Sequence, residues 1–115
     1  MGNEIREEPH QLVLAIADEM VRMEQNLLGM PEDTSGRKQL LRSLQRMKTH
    51  LMTSGYEIVE MLGHPYTDGM KVRATFKFDE TMPEGQQTIT SVTRPQVNYH
   101  GKMIQVAEIT VSQNF

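Results

Sequence analysis

Apolar residues recur at helical spacing in the first part of the chain. Over residues 11–28 they follow one another at steps of three or four positions, which places them on one face of a helix. This first stripe consists of Leu12, Ile16, Met20, Met23 and Leu27. Gly29 and Pro31 follow, and a glycine with a proline behind it is typical of a helix end. We therefore predict an amphipathic helix over residues 11–28, with residues 1–10 as a flexible N-terminus.

A second stripe with the same spacing follows a short polar linker, residues 32–36. It consists of Leu40, Leu44, Met47 and Leu51. The pattern predicts a helix that ends near Ser54, with Thr34 or Ser35 as its N-cap. Because the linker is short, the two helices should be antiparallel neighbours.

Two helices alone cover only one side of each apolar stripe. We expect a second copy of the chain to cover the rest, as a four-helix bundle across a two-fold axis. The predicted dimer interface consists of Leu12, Ile16, Met20, Met23, Leu27, Leu40, Leu44, Met47 and Leu51.

The periodicity changes from helical to strand-like after Gly55. Residues 56–61 form the first strand-like run. In residues 72–78 apolar and polar positions alternate strictly, which predicts a half-buried strand with one basic face. Residues 88–93 form a third strand whose Ile89 and Val92 break the alternation and indicate a bulge.

The last strand signal follows a predicted turn over residues 98–102, in which Asn98 and Gly101 are the turn residues. Residues 103–112 are apolar on both faces, which is typical of a central strand. The fold class is therefore α+β: an N-terminal antiparallel helix pair, then a small β-sheet domain. We assign residues 11–55 to a helical dimerisation segment and residues 56–115 to the β domain.

Composition narrows the possible functions. A chain of 115 residues with 37% hydrophobic content has a modest core, and ten Met residues must help to fill it. The net charge of −3 argues against a protein that coats nucleic acid. With no Cys, no apolar run of about 20 residues and no signal-peptide pattern, the sequence predicts a cytoplasmic protein that does not enter membranes.

No grouping of residues predicts catalysis. The four His residues lie far apart, no carboxylate pair has a setting that would tune its pKa, and the glycines form no phosphate-binding loop. We therefore expect neither catalytic residues, nor a metal site, nor a cofactor, and do not expect an enzyme.

The basic face of the second strand carries Lys71, Arg73 and Lys77. Its aromatic neighbours Phe76 and Phe78 are predicted to point inward, so a platform for stacking bases is missing. A solvated sheet face and a binding face for an acidic protein are the two other interpretations.

Several sequence runs, taken together, resemble one known family. They are LVLAIAD at 12–18, LLRSLQRMKTHLMTSGYEIVE at 40–60, LGHPY at 62–66, PEG at 83–85, YHGKMI at 99–104 and AEITV at 107–111. In their order and spacing they are similar to the C-terminal two-thirds of GrpE, the nucleotide exchange factor of DnaK-type heat-shock chaperones. The resemblance covers residues 11–113.

This resemblance implies a homodimer that binds the nucleotide-binding domain of a DnaK-type chaperone and promotes ADP release. The contact residues that it implies are Gly55, Tyr56, Lys71, Arg73, Tyr99, Lys102 and Gln105. The sequence departs from the family pattern in three respects. We expect most of the family's long N-terminal helix to be missing, since ten residues precede Gln11. The family's Phe-Asp-Pro and His-Glu-Ala motifs are replaced over residues 66–74, and Gln105 stands where the family usually has Arg. An adaptor or scaffold module that binds a protein without exchange activity is the alternative.

Overall fold

The first helix, α1, spans Gly2–Leu28. The computed structural model describes the backbone of residues 2–115 and the side chains of residues 10–115. The start at Gly2 is earlier than predicted, because apolar periodicity marks where a helix is packed and not where it begins. Residues 1–10 were predicted to be flexible. The side chains of this segment, apart from that of His10, lie outside the described residues.

The second helix, α2, spans Arg37–Thr53 and runs antiparallel to α1. Arg37 Nε donates to the carbonyl oxygen of Leu27, whereas Lys48 pairs with Glu24, so the order along the two helices is opposite. The predicted cap is wrong. The N-cap is Gly36, in a left-handed conformation and without a side-chain cap bond.

Six strands follow the helices and form two three-stranded sheets. They are β1 (Tyr56–Ile58), β2 (Val72–Phe78), β3 (Gln87–Arg94), β4 (Val97–Tyr99), β5 (Lys102–Gln105) and β6 (Ala107–Gln113). The first sheet has the order β1-β4-β5 and the second has the order β2-β6-β3. In the second sheet β2 is parallel to β6 and β3 is antiparallel to it. The predicted α+β fold, a helix pair followed by a small sheet domain, is confirmed.

The predicted single strand over residues 103–112 is wrong, because the chain changes sheets within it. Residues up to Gln105 belong to the first sheet, and residues from Ala107 belong to the second. Ile104 packs beside Val97, while Ala107 packs beside Ile109 and Ile89, so the two halves serve different parts of the core. The later half, β6, is the central strand of its sheet, as predicted.

Some local strand predictions are confirmed and others are wrong. The first strand ends at Ile58 and not at residue 61, and Asn98, a predicted turn residue, lies in β4. The register between β3 and β6 shifts between Ile89 and Ser91 and again between Val92 and Arg94, which confirms the bulge. The β4–β5 hairpin turns through His100 and Gly101, whose φ angles are 48° and 81°. Two successive positive φ angles are typical of the hairpin turn that matches strand twist.

The core lies where the helices meet the sheets. Three buried clusters centre on Met20 between the helices, on Tyr56 against α1, and on Ile109 between α1 and the second sheet. Ile58 of β1 packs against all three clusters. The helix pair and the β strands therefore share one continuous core.

One polar side chain fastens α1 to the edge of β3. The Gln25 amide donates to the carbonyl oxygen of Val92 at 2.7 Å and accepts from the Val92 amide at 2.8 Å. It thus satisfies both backbone groups of Val92, as a neighbouring strand would, beside the second bulge.

Candidate functional site

An apolar groove runs between α1 and α2, and none of its lining residues belongs to a strand. Its volume is about 290 Å³, and its apolar lining is Met23, Leu27, Met30, Leu40, Leu44 and Met47. The predicted dimer interface divides into two groups here. Met20, Leu27 and Leu44 are buried between the chain's own helices, and Leu51 is partly buried with them.

The other five residues predicted for the dimer interface are exposed. They are Leu12, Ile16, Met23, Leu40 and Met47. Three of these, Met23, Leu40 and Met47, line the groove, whereas Leu12 and Ile16 do not. The helix pair thus uses one side of each apolar stripe internally and leaves the other side open.

The junction between α2 and the sheets is an aromatic cluster. Gly55 has a φ of 96°, and a Cβ placed there would lie 2.5 Å from Cε1 of His100. The rings of Tyr56 and Tyr99 are 4.6 Å apart, and those of Tyr99 and His100 are 4.1 Å apart. Nδ1 of His10 lies 2.6 Å from the Tyr56 hydroxyl, which ties the cluster to α1.

The predicted contact residue Tyr56 is buried in this junction. Burial raises the pKa of its phenol, and the neighbouring Tyr99 raises it further. Because Tyr56 is buried among these rings and hydrogen-bonded to His10, it positions β1 against the helices. Gly55 permits the close approach of His100. Tyr99 is only partly buried and is the member that reaches the surface.

Gln105 also acts inside the molecule. Its side-chain amide donates to Oδ1 of Asp18 and to the carbonyl oxygen of Pro95, both at 2.9 Å. Asp18 is nearly buried, and its second oxygen lies 3.4 Å from Nε of Arg94. Gln105 therefore neutralises no charge but satisfies a buried carboxylate where the chain passes from β5 to β6.

Three predicted contact residues are exposed cations. Lys71 and Arg73 lie together at the start of β2, and Lys102 lies in the other sheet, at the β4–β5 hairpin. Arg73 is 77% exposed and only loosely paired, with its Nη1 3.7 Å from Glu108. Of the predicted contact residues, Gly55, Tyr56 and Tyr99 lie close together in the structure. Lys71 and Arg73 form a second, separate group.

An ion cluster around a buried lysine is the feature that sequence reasoning missed. Nζ of Lys48 lies 2.8 Å from Glu24 and 2.5 Å from Glu60, and Lys48 is only 8% exposed. Lys48 stands between Leu44 and Leu51 on the apolar stripe of α2. A charged residue in that stripe was the signal that could have revealed the cluster.

Comparisons with known proteins add no family assignment. Neither a scan against protein-family models nor a search of curated proteins finds a match. Within the described part of the chain, no group of three or more His, Asp or Glu side chains is placed to hold a metal ion. No helix among the described residues is long and apolar enough to cross a membrane.

Proposed function

We propose that this protein is a homodimeric, cytoplasmic, non-enzymatic exchange factor of the GrpE kind, which promotes ADP release from a DnaK-type chaperone. The observation that carries the proposal is the ordered resemblance over residues 11–113. Its motifs fall on two antiparallel helices that pass through Gly55 into a β module. The open apolar groove supports the dimeric part of the proposal, since it leaves Met23, Leu40 and Met47 exposed.

The mechanism would be differential binding. A protein that binds the opened nucleotide cleft of a chaperone more tightly than the closed cleft must, by thermodynamic linkage, weaken nucleotide affinity. This protein needs no catalytic group for that effect. It needs a rigid face that fits one state of the partner, and the core shared by helices and sheets would provide that rigidity.

The best candidates for touching the chaperone are the three exposed cations of the predicted contact set and the partly buried Tyr99: Lys71, Arg73, Tyr99 and Lys102. Gly55, Tyr56 and Gln105 would contribute indirectly by positioning the strands. Substitution of an exposed cation should weaken binding and leave the fold intact, whereas substitution of a positioning residue should alter both.

Stopped-flow release of fluorescent ADP from a cognate DnaK-type chaperone tests the proposal. Micromolar protein should accelerate release, and Lys102→Glu should reduce the effect at equal concentration. Arg46→Glu, which reverses a charge on the exposed side of α2, is the matched control and should behave as the unmodified protein. Unchanged release at micromolar excess would refute exchange activity.

One observation favours the alternative, an adaptor that binds a protein partner without promoting exchange. The family's Arg is replaced by Gln105, whose amide is used internally by Asp18 and Pro95. The position therefore offers no cation to a partner. Binding to the chaperone's nucleotide-binding domain without faster ADP release would support this alternative.

A further inference from the structure

The outer edge of β2 differs from the other edge of its sheet. The opposite edge, on β3, is covered by the segment that precedes β2: Gly63 N donates to Ile89 O, Ile89 N to His64 O, and Tyr66 N to Gln87 O, at 2.7 to 2.9 Å. In contrast, β2 has one hydrogen-bonded neighbour in the described structure, the central strand β6. One edge of the sheet is closed and the other is open.

The backbone groups on the open edge can be identified. Asp79 N, directly after β2, donates to Gln113 O at 2.8 Å, so the backbone of residue 79 faces β6. Successive residues of a strand direct their N–H and C=O groups to opposite sides, and the β2–β6 register has no shift. The groups of Ala74, Phe76 and Phe78 therefore point away from β6, towards solvent.

The side chains on this edge form two distinct rows. Phe76 and Phe78 extend the core-facing row, yet they are 47% and 62% exposed, and the Phe76 ring meets Tyr66 edge-on at 5.4 Å. The opposite row is Arg73, Thr75 and Lys77, all exposed. An edge strand with free backbone groups and two exposed aromatic rings is a template for another strand.

The charges indicate which strand would pair there. A second copy of β2 could pair with the first over its full length in one antiparallel register. In that register Val72 lies opposite Phe78 of the other copy, and Arg73 of each copy lies opposite Lys77 of the other. Like charges at directly opposed positions destabilise such a pair. An incoming strand with acidic side chains in that row would instead face two exposed cations.

We propose that the β2 edge binds an extended acidic segment of a partner protein by strand addition, with apolar side chains against Phe76 and Phe78 and carboxylates beside Arg73 and Lys77. This site does not depend on the proposed exchange function, because it is a property of the edge alone. It would form between the backbone of Ala74, Phe76 and Phe78 and that of the added strand.

The probe is a synthetic peptide, acetyl-Glu-Val-Glu-Phe-Glu-Val-Glu-amide, which has acidic and apolar residues in alternation. Its binding should slow hydrogen exchange at the amides of Ala74, Phe76 and Phe78, measured by NMR on the full chain. The same peptide with N-methyl groups on the amides that face β2 should not give this protection, since strand addition needs those donors.

Charge reversal provides the matched comparison. Lys77→Glu should weaken the acidic peptide about fivefold or more at low salt and should favour the analogue with Lys in place of Glu. Lys38→Glu, the same change on an exposed part of α2, should leave both affinities unaltered. A swap of peptide preference at residue 77 alone would support the proposed docking of carboxylates.

Four outcomes would overturn the proposal: no exchange protection up to millimolar peptide, protection at amides elsewhere, equal binding of the N-methylated peptide, or binding of single-stranded RNA without binding of the peptide. The last result would assign the cations of β2 to nucleic acid instead.

Discussion

At the scale of single residues, Gly55 has little freedom to change. It connects α2 to β1 with a positive φ and leaves no space for a side chain beneath His100. Its role is to let the hairpin that carries Tyr99 and His100 fold against the helix end.

We predict that Gly55→Ala lowers the free energy of unfolding by about 1–2 kcal/mol for the left-handed backbone and by a further amount for the contact with His100. Gly36 is the matched control, because its φ is 85° but a Cβ added there would meet nothing within 4 Å. Urea denaturation of Gly55→Ala, Gly36→Ala and Gly55→Ala with His100→Ala separates the two effects. Equal losses at both glycines would contradict the role of His100.

Lys48 is the buried charge whose removal should lower the free energy of unfolding most. Burial by itself would lower the pKa of Lys48, but the hydrogen bonds and charges of Glu24 and Glu60 outweigh burial and raise the pKa above 10.5. We predict that Lys48→Met costs about 1–3 kcal/mol, because Glu24 then loses its partner in a partly buried site, while the exposed Glu60 returns to solvent. Replacing Glu24 by Gln as well should recover part of that loss, and exposed Arg46→Met should cost little.

The pH dependence of this difference follows from the sign of the pKa shift. A pKa that is higher in the folded protein stabilises it fully below the unfolded value of 10.5, and the stabilisation is lost as pH rises through the folded value. The stability gap between the unmodified protein and Lys48→Met should therefore stay constant from neutral pH to about pH 10 and narrow above it. Urea midpoints measured in parallel across this range provide the test, and a gap that widens at high pH would contradict it.

At the scale of elements, α1 is held to the second sheet by a polar contact within an apolar interface. Val21 packs against the sheet core, and one turn later Gln25 bonds both backbone groups of Val92. In its sheet β3 has one strand neighbour, β6, and on its other side the helix satisfies these groups of Val92 with a side chain.

Gln25→Leu should destabilise the protein by about 2–3 kcal/mol, because the N–H and C=O of the buried Val92 both lose their partner. Gln25→Glu keeps the acceptor but loses the donor and should cost less. Chemical denaturation gives the energies, and hydrogen exchange at the Val92 amide reports the local effect. Slow exchange at that amide in Gln25→Leu would show that another group satisfies it.

At the scale of the whole molecule, the exposed groove between the helices is the surface on which the proposed dimer would form. Its lining is apolar, and Met23, Leu40 and Met47 are exposed on it. A second copy that packs its own helix pair into the groove would bury these side chains, and the gain from removing apolar surface from water would drive association.

We predict a dimer at micromolar concentration, seen in light scattering as about twice the chain mass of 13.2 kDa. Met23→Glu should give monomers, because it would bury an unpaired charge in the interface. Met52→Glu is the matched control, since Met52 is exposed on α2 but lies outside the groove. A mass of 13.2 kDa for the unmodified protein would rule out the dimer.

Much of the fold was predictable from local patterns. The two helices, the extent of strand β2, the bulge near Ile89 and the central position of β6 all follow from the pattern of apolar residues, because that pattern records which face of an element is buried. The prediction that Phe76 and Phe78 point inward is wrong, because they are 47% and 62% exposed. The hairpin at Gly101 follows from turn chemistry. In the candidate site, the exposed cations and the open halves of the helical stripes were predictable for the same reason.

The partners of those buried faces were decided by the tertiary structure. Sequence spacing did not distinguish Met20, which packs within the chain, from Met23, which remains exposed three residues later. It did not show that residues 103–112 divide between two sheets, that Gln105 turns inward to Asp18, or that Lys48 joins Glu24 and Glu60. The physical reason is that the periodicity of apolar residues indicates which face of an element is buried. The residues that pack against that face come from distant parts of the chain, and the periodicity does not identify them.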